Sequence, residues 1–181
     1  PVESIRSHQA LYGYTEDEMT HLISPMATDG KDPVGSMGDD TPLIVLSPFN
    51  RPLFTYFKQL FAQVTNPPLD YIREELVTSL ESRLGYQRNL LDETPEHARQ
   101  LVADSPILTD AQTASIKQLD GENGELSTKA IEMTFDPETD LATAVRQIRR
   151  EATIAAQEDD IIVLCDRNAG RAAITIPALL A

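Results

Sequence analysis

The sequence predicts an α/β domain with a mostly parallel sheet flanked by helices, and three features carry that expectation. Residues 43–46 and 161–164 are continuous aliphatic runs, of a length for strands buried on both faces. From residue 131 to 164 the apolar spacing passes from alternation to a helical stripe and back to a continuous run. Strand, helix, strand in that order is a βαβ unit, whose strands should be parallel and its crossover right-handed. At 181 residues the chain suffices for one domain with its own core, read as residues 1–181.

Taken in order, residues 3–13 are weakly helical. Thr15 followed by Glu16, Asp17 and Glu18 reads as an N-cap with acids where the helix dipole favours them, opening a helix to about Ile23 that Pro25 limits. Residues 27–41 combine glycines, acids and Pro33 without an apolar period, as an exposed or ligand-shaped loop does. After the strand at 43–46, Pro48 and Pro52 open a helix on which Leu53, Phe54, Phe57, Leu60, Phe61 and Val64 share one face, so Phe57 and Phe61 are expected in the core. Asn66-Pro67-Pro68 stops it, because proline lacks an N–H and disfavours α geometry in the residue before it. A second helix from Asp70 to near Gly85 should turn Leu69, Ile72, Leu76 and Leu80 inward. Short helices are expected at 95–102, with Thr94 as cap, and at 110–119, joined by an extended 105–108. After the polar turn 120–125, Ile131, Met133 and Phe135 alternate, and Leu141, Val145, Ile148, Ala152 and Ala155 form the helical stripe ending at Glu158-Asp159-Asp160.

Composition excludes several classes of function. With 29 acidic against 15 basic residues the net charge is −14, which repels nucleic acid and anionic membranes. The single cysteine, Cys165, cannot form an internal disulfide, and no CxxC or Cys/His cluster offers a zinc site, so the chain reads as cytoplasmic. No apolar run reaches the roughly 18 residues of a spanning helix, and no signal-peptide pattern opens the chain. It begins at Pro1 and stops inside the apolar run ending at Ala181, which reads as a fragment truncated at both ends.

Each candidate site has a plainer reading. Gly35-Ser36-Met37-Gly38 precedes its strand and is followed by Asp39 and Asp40, whereas a phosphate cradle follows a strand and opens a helix, so a packed turn is the better reading. Cys165-Asp166-Arg167-Asn168 lies past a strand end, where open α/β sheets place ligands, and Arg167 could activate the thiol; a buried structural thiol is the better reading. His8, His21 and His97 have no metal-ligand spacing. Asp70, Arg73, Glu74 and Glu75 suit solvated or interface salt bridges rather than acid/base work. The stripe of Phe54, Phe57 and Phe61 suits a core rather than a flavin site. No catalytic, cofactor-binding or metal-ligating residue is therefore assigned.

An ordered series of motifs adds to this reading. They are Gly13-Tyr14-Thr15-Glu16-Asp17, Pro25-Met26-Ala27, Pro33-Val34-Gly35-Ser36-Met37-Gly38, Thr41-Pro42-Leu43, the run from Tyr56 to Pro68, Ile72-Arg73-Glu74-Glu75-Leu76, Asn89-Leu90-Leu91, Thr94-Pro95-Glu96-His97-Ala98, Ser105-Pro106-Ile107-Leu108, Leu164 to Arg167 and Ile176-Pro177-Ala178-Leu179-Leu180. Together they resemble the central domain of the glutamate synthase large subunit, over nearly the whole chain. Asp39 departs from a frequent Asn, and Cys165 from a frequent Ser, which speaks against thiol chemistry. The resemblance implies a fold of barrel-related βα units, and a part in an oxidoreductase of glutamate biosynthesis and ammonia assimilation that forms two glutamates from glutamine, 2-oxoglutarate and a reductant. It also implies a non-catalytic domain joining the amidotransferase and the FMN-binding synthase domains and helping to wall the ammonia passage, with a small electron-supplying subunit as a further partner. FMN and the iron–sulfur cluster belong to the parent enzyme, and this segment alone is expected to be inactive. Residues 27–41 and the Asn66-Pro67-Pro68 turn are then expected to face neighbouring domains. A self-standing α/β ligand-binding module using strand ends near Ser47 and Asp166 is the alternative, and a small thiol enzyme or hydrolase built on Cys165 is a third reading.

Overall fold

Residues 2–30, 46, 53–57, 68–122 and 126–181 are described by the computed structural model. They fall in two units, Pro1–Val64 and Thr65–Ala181. In the first, α1 (Val2–Leu11) ends in a Schellman turn: Gly13 takes φ 74°, its N–H donates to the Ala10 carbonyl, and the Tyr14 N–H reaches back to Gln9. Thr15 then forms the expected cap as a full capping box. The Glu18 N–H donates to Thr15 Oγ1, and the Glu18 carboxylate accepts from the Thr15 N–H at 2.8 Å.

The helix so opened runs further than Pro25 was expected to allow. After α2 (Glu16–Glu18) it widens into a π turn over Met19–Ile23 and continues as α3 (Ser24–Asp29). The Ser24 N–H bonds to the Met19 carbonyl five residues back, and this wider turn relieves the clash a proline ring makes with the carbonyl four residues behind it. Gly30, left-handed at φ 60°, ends the helix.

Two expectations for the next stretch are corrected. Leu46, placed in a buried strand, sits in a turn and is 96% exposed; Pro42 and Pro48 flank that run, and neither can donate to a ladder. Leu53–Tyr56 is a 3-10 turn, and Phe57 beyond it is 62% exposed rather than core. With three residues per turn, positions four apart no longer share a face. The glycine motif at 35–38, Ser47, Phe61 and Asn66-Pro67, with most of the 27–41 loop, lie outside the described residues.

The second unit opens with another correction. Asp70 organises a turn, its carboxylate accepting from the Ile72 and Arg73 N–H groups, but the helix that follows is only α4 (Glu74–Val77). Ile72 and Leu76 lie on the surface, and Leu69 and Leu80 are about half exposed. Thr78 Oγ1 donates to the Glu74 carbonyl and Ser79 Oγ accepts from the Glu81 N–H, so these hydroxyls compete with the helical ladder and end it. The chain instead enters β1 (Ser82–Leu84), antiparallel to β2 (Leu101–Ala103). Gly85 follows at φ 139°, where a Cβ would meet the Arg99 carbonyl at 3.2 Å. The helix expected at 95–102 is a 3-10 turn, Pro95–Ala98, stopped where the β2 pairing begins, and Thr94 contacts the His97 ring instead of capping the backbone. Thr109 does close a capping box, with Gln112, at the start of α5 (Asp110–Lys117).

The βαβ unit is present as expected. β3 (Thr128–Glu132) pairs in parallel with β5 (Ile161–Cys165), in register from Thr128 opposite Ile161 to Glu132 opposite Cys165, and α6 (Leu141–Glu158) connects them. Beyond Met133 the first strand continues as β4 (Thr134–Phe135), antiparallel to β6 (Ile174–Thr175). Ala144, Ile148 and Ala155 of α6 pack on Ile131, Met133 and Ile176, with Phe135, Val145, Ala152 and Ile162 at the margin of this core. The architecture is α/β; the described sheets are two-stranded and open, one of them parallel, and no barrel closes among the described residues.

Candidate functional site

The strand ends of the βαβ unit hold its chemistry. At their start, Asp160 acts as a clamp: its carboxylate accepts from the Ser127 N–H at 3.0 Å and pairs with the Arg99 guanidinium at 3.3 Å, while the Asp160 N–H donates to Ser127 Oγ. Ile161 N–H then bonds to the Ser127 carbonyl, so the two parallel strands begin in register. The acidic stop after α6 was visible in the sequence, but its partners lie 33 and 61 residues away.

At the carboxyl end, Cys165 closes β5 at 7% exposure. Lys117, in the last turn of α5, donates from Nζ to its sulfur at 3.2 Å. Arg167, the expected basic neighbour, turns to the other end of α5 and meets Asp110 at 2.8 Å. That hydrogen bond, and then the charge of Asp110, raise the guanidinium's pKa further above its already high value. The two contacts strap α5 across the end of β5. A burial of this degree restricts access to the sulfur, in keeping with the structural reading of the thiol.

Beside this edge, α6 and the β3–β4 strand enclose a cavity of about 260 Å³. Its floor is Phe135, Ile148 and Ile176, and its rim carries the carboxylates of Glu132, Asp136 and Glu151 with the polar groups of Thr134, Thr139 and Gln147. Gln147 donates to Glu151 at 3.1 Å, and Asp136 accepts from the Glu138 N–H at 2.8 Å. Three carboxylates and no cation give the rim a negative field, open to a small cation and hostile to an anion. The alternation of β3 and β4 could have shown that Glu132 and Thr134 share a face, but not that Glu151 would meet them.

The remaining candidates are dispersed. His8 and His21 are exposed on the first unit's helices; His97 bridges the Thr94 and Asn89 carbonyls, both at 2.9 Å. Asp70 and Arg73 form an exposed pair at 3.6 Å, a contact of little energetic weight. Among the described residues no group of His, Cys, Asp and Glu is arranged to hold a metal ion, and no helix is long and apolar enough to cross a membrane.

Fold and site define an α/β domain organised by one βαβ unit, with strand ends held by Asp160 at one edge and strapped by α5 at the other. The chain belongs to the glutamate synthase central domain family, whose profile matches residues 7–181. It is 39% identical over 178 residues to the glutamate synthase [NADPH] large chain of Azospirillum brasilense, covering 98% of this chain and 12% of that protein. Ferredoxin-dependent glutamate synthase 2 of Synechocystis sp. is 40% identical over 99% of this chain and 12% of its own length. Glutamate synthase [NADH] of Saccharomyces cerevisiae is 38% identical over 93% of this chain and 8% of its own. The chain thus spans about an eighth or less of these curated relatives.

Proposed function

We propose that the chain acts as the joining domain of a glutamate synthase large chain, packed between its amidotransferase and FMN-binding synthase domains and helping to wall the passage of ammonia between them. The observation that carries this reading is a surface the domain leaves uncovered: Tyr71, Ile72, Leu76, Val77, Leu90 and Leu91 are each more than half exposed within a single stretch of the second unit. Large apolar side chains left exposed so close together in sequence suit a contact with another protein surface. Two further observations support it. Relatives named for NADPH, NADH and ferredoxin match at 35–40% identity alike, as suits a domain that does not itself meet the electron donor. The residues here also do not suit the parent enzyme's cofactors: one cysteine cannot ligate a cluster, and the acidic rim beside α6 repels both a flavin phosphate and the dianionic 2-oxoglutarate.

On this reading the purified chain is colourless, hydrolyses no glutamine and forms no glutamate; a flavin or cluster absorbance band, or either activity above a blank, contradicts it. The joining role is tested in the full-length large chain carrying Leu90→Asp and Leu91→Asp. Glutamate formation from supplied ammonia should persist and show that the enzyme is folded. Glutamine hydrolysis should outrun glutamate formation, because ammonia escapes the loosened passage. One glutamine hydrolysed per synthase turnover, as in the unaltered enzyme, would overturn the role.

A further inference from the structure

Helix α6 has a second face that the core does not use. Arg146, Arg149, Arg150, Thr153 and Ile154 line a shallow depression of about 520 Å³, and their spacing sets them on one side of the helix, opposite the buried Ala144, Ile148 and Ala155. In a chain of net charge −14, three of the 15 basic residues fall within five positions. The acids of α6 stand elsewhere, with Glu151 turned to the cavity on the sheet side and Glu158 at the helix end. Arg146 is held by donation to Thr143 Oγ1 at 2.7 Å, whereas Arg149 and Arg150 have no ion-pair partner among the described residues. Ile154 beside them is 59% exposed. Glutamates three or four residues away would stabilise a solvated arginine face, and none stands there for Arg149 or Arg150.

We propose that this face docks an acidic segment of a neighbouring domain of the same longer chain; the inference rests on the joining role above. Guanidinium forks match carboxylates two bonds at a time, and Ile154 offers an apolar contact at their edge. Nucleic acid, an anionic membrane and a second copy each bring an extended negative charge against the whole −14 chain, whereas a short acidic segment faces mainly the arginines it docks on. A separate acidic protein would have to be held by exposed ion pairs, which contribute little against the lost freedom of two free bodies. A tethered segment meets the face at high effective concentration, so weak pairs suffice. The relatives' length leaves ample chain to supply it, since these residues span about 12% of the large chains they match.

The test uses the full-length large chain carrying Arg149→Lys and Arg150→Lys, treated with a zero-length carbodiimide that joins amines to touching carboxylates. Mass spectrometry should find the α6 peptide linked to an Asp- or Glu-bearing peptide outside residues 1–181 of the same chain, with a yield that falls by roughly half or more between ~0.05 and ~1 M salt. In the unaltered large chain, phenylglyoxal should modify Arg149 and Arg150 roughly tenfold more slowly than in the 181-residue chain. Links confined to residues 1–181, links between isotopically mixed chains, or no link with equal modification rates would each overturn the proposal. If amide exchange over residues 69–91 slows in the large chain while α6 stays reactive, the joining role stands and this docking fails. If neither changes, both fail.

Discussion

The βαβ unit at 128–165 and the shorter stretch at 69–91 carry nearly equal numbers of large apolar residues, yet they bury them very differently. In the first, Ile131, Met133 and Ile148 are each at or below 5% exposure, because the crossover folds one apolar stripe onto another from the same short segment. In the second, Leu90 and Tyr71 are 90% and 86% exposed, and the single turn of α4 is exposed along its whole length. The difference separates what a segment can satisfy locally from what requires a partner surface. One region buries its own apolar stripe; the other, on the joining role proposed above, is half of a contact.

The largest expected effect sharpens that contrast within the 181-residue chain. Ile148→Ala empties a site between α6 and the sheet and should cost about 2–5 kcal/mol, whereas Leu90→Ala should stay within about 0.5 kcal/mol. Urea unfolding of both variants measures this. Comparable losses would show that Leu90 is packed in the free chain and would erase the distinction. Next comes the clamp that sets the register of the parallel strands. Asp160→Ala removes acceptors from the Ser127 N–H and hydroxyl and a partner from Arg99, and should cost about 2 kcal/mol, with Asp160→Asn losing less. An unchanged midpoint would mean that the strands hold their register without it.

The smallest effect is an acid limb. The Thr143 hydroxyl, and then its backbone N–H, hold the Asp140 carboxyl below its ordinary range at the start of α6. Glu96 is lowered likewise, first by the Thr94 side chain. A carboxyl depressed in the folded state adds stability above its unfolded pKa and loses it as pH falls through the folded value, so the loss belongs below about pH 4. Asp140→Asn keeps a capping acceptor without the titration, and a thermal melt series in acid should show a slightly flatter limb for it. A steeper limb would place the titration elsewhere.

How much the sequence disclosed follows the same division. The periods at Ile131, Met133 and Ile148 and the cap at Thr15 are local signals, and the strands, α6 and that capping box are found there. A helical period at Leu69, Ile72, Leu76 and Leu80 was equally visible, but Thr78 and Ser79 break the ladder and the four side chains stay about half exposed or more. The contacts of Lys117 with Cys165, and of Asp110 with Arg167, join residues 48 and 57 apart, a distance over which no spacing rule reaches. The cavity's acidic rim has the same origin, with Glu151 supplied by the helix and Glu132 by the strand.

Amide hydrogen exchange on the 181-residue chain and on the full-length large chain tests the division most directly. Residues 128–165 should be protected in both and to the same degree. Residues 69–91 should exchange rapidly in the shorter chain and slow down in the longer one, where a neighbouring domain covers their apolar side chains. Equal exchange over 69–91 in the two chains would contradict the assignment of this stretch as half of a contact, and with it the joining role.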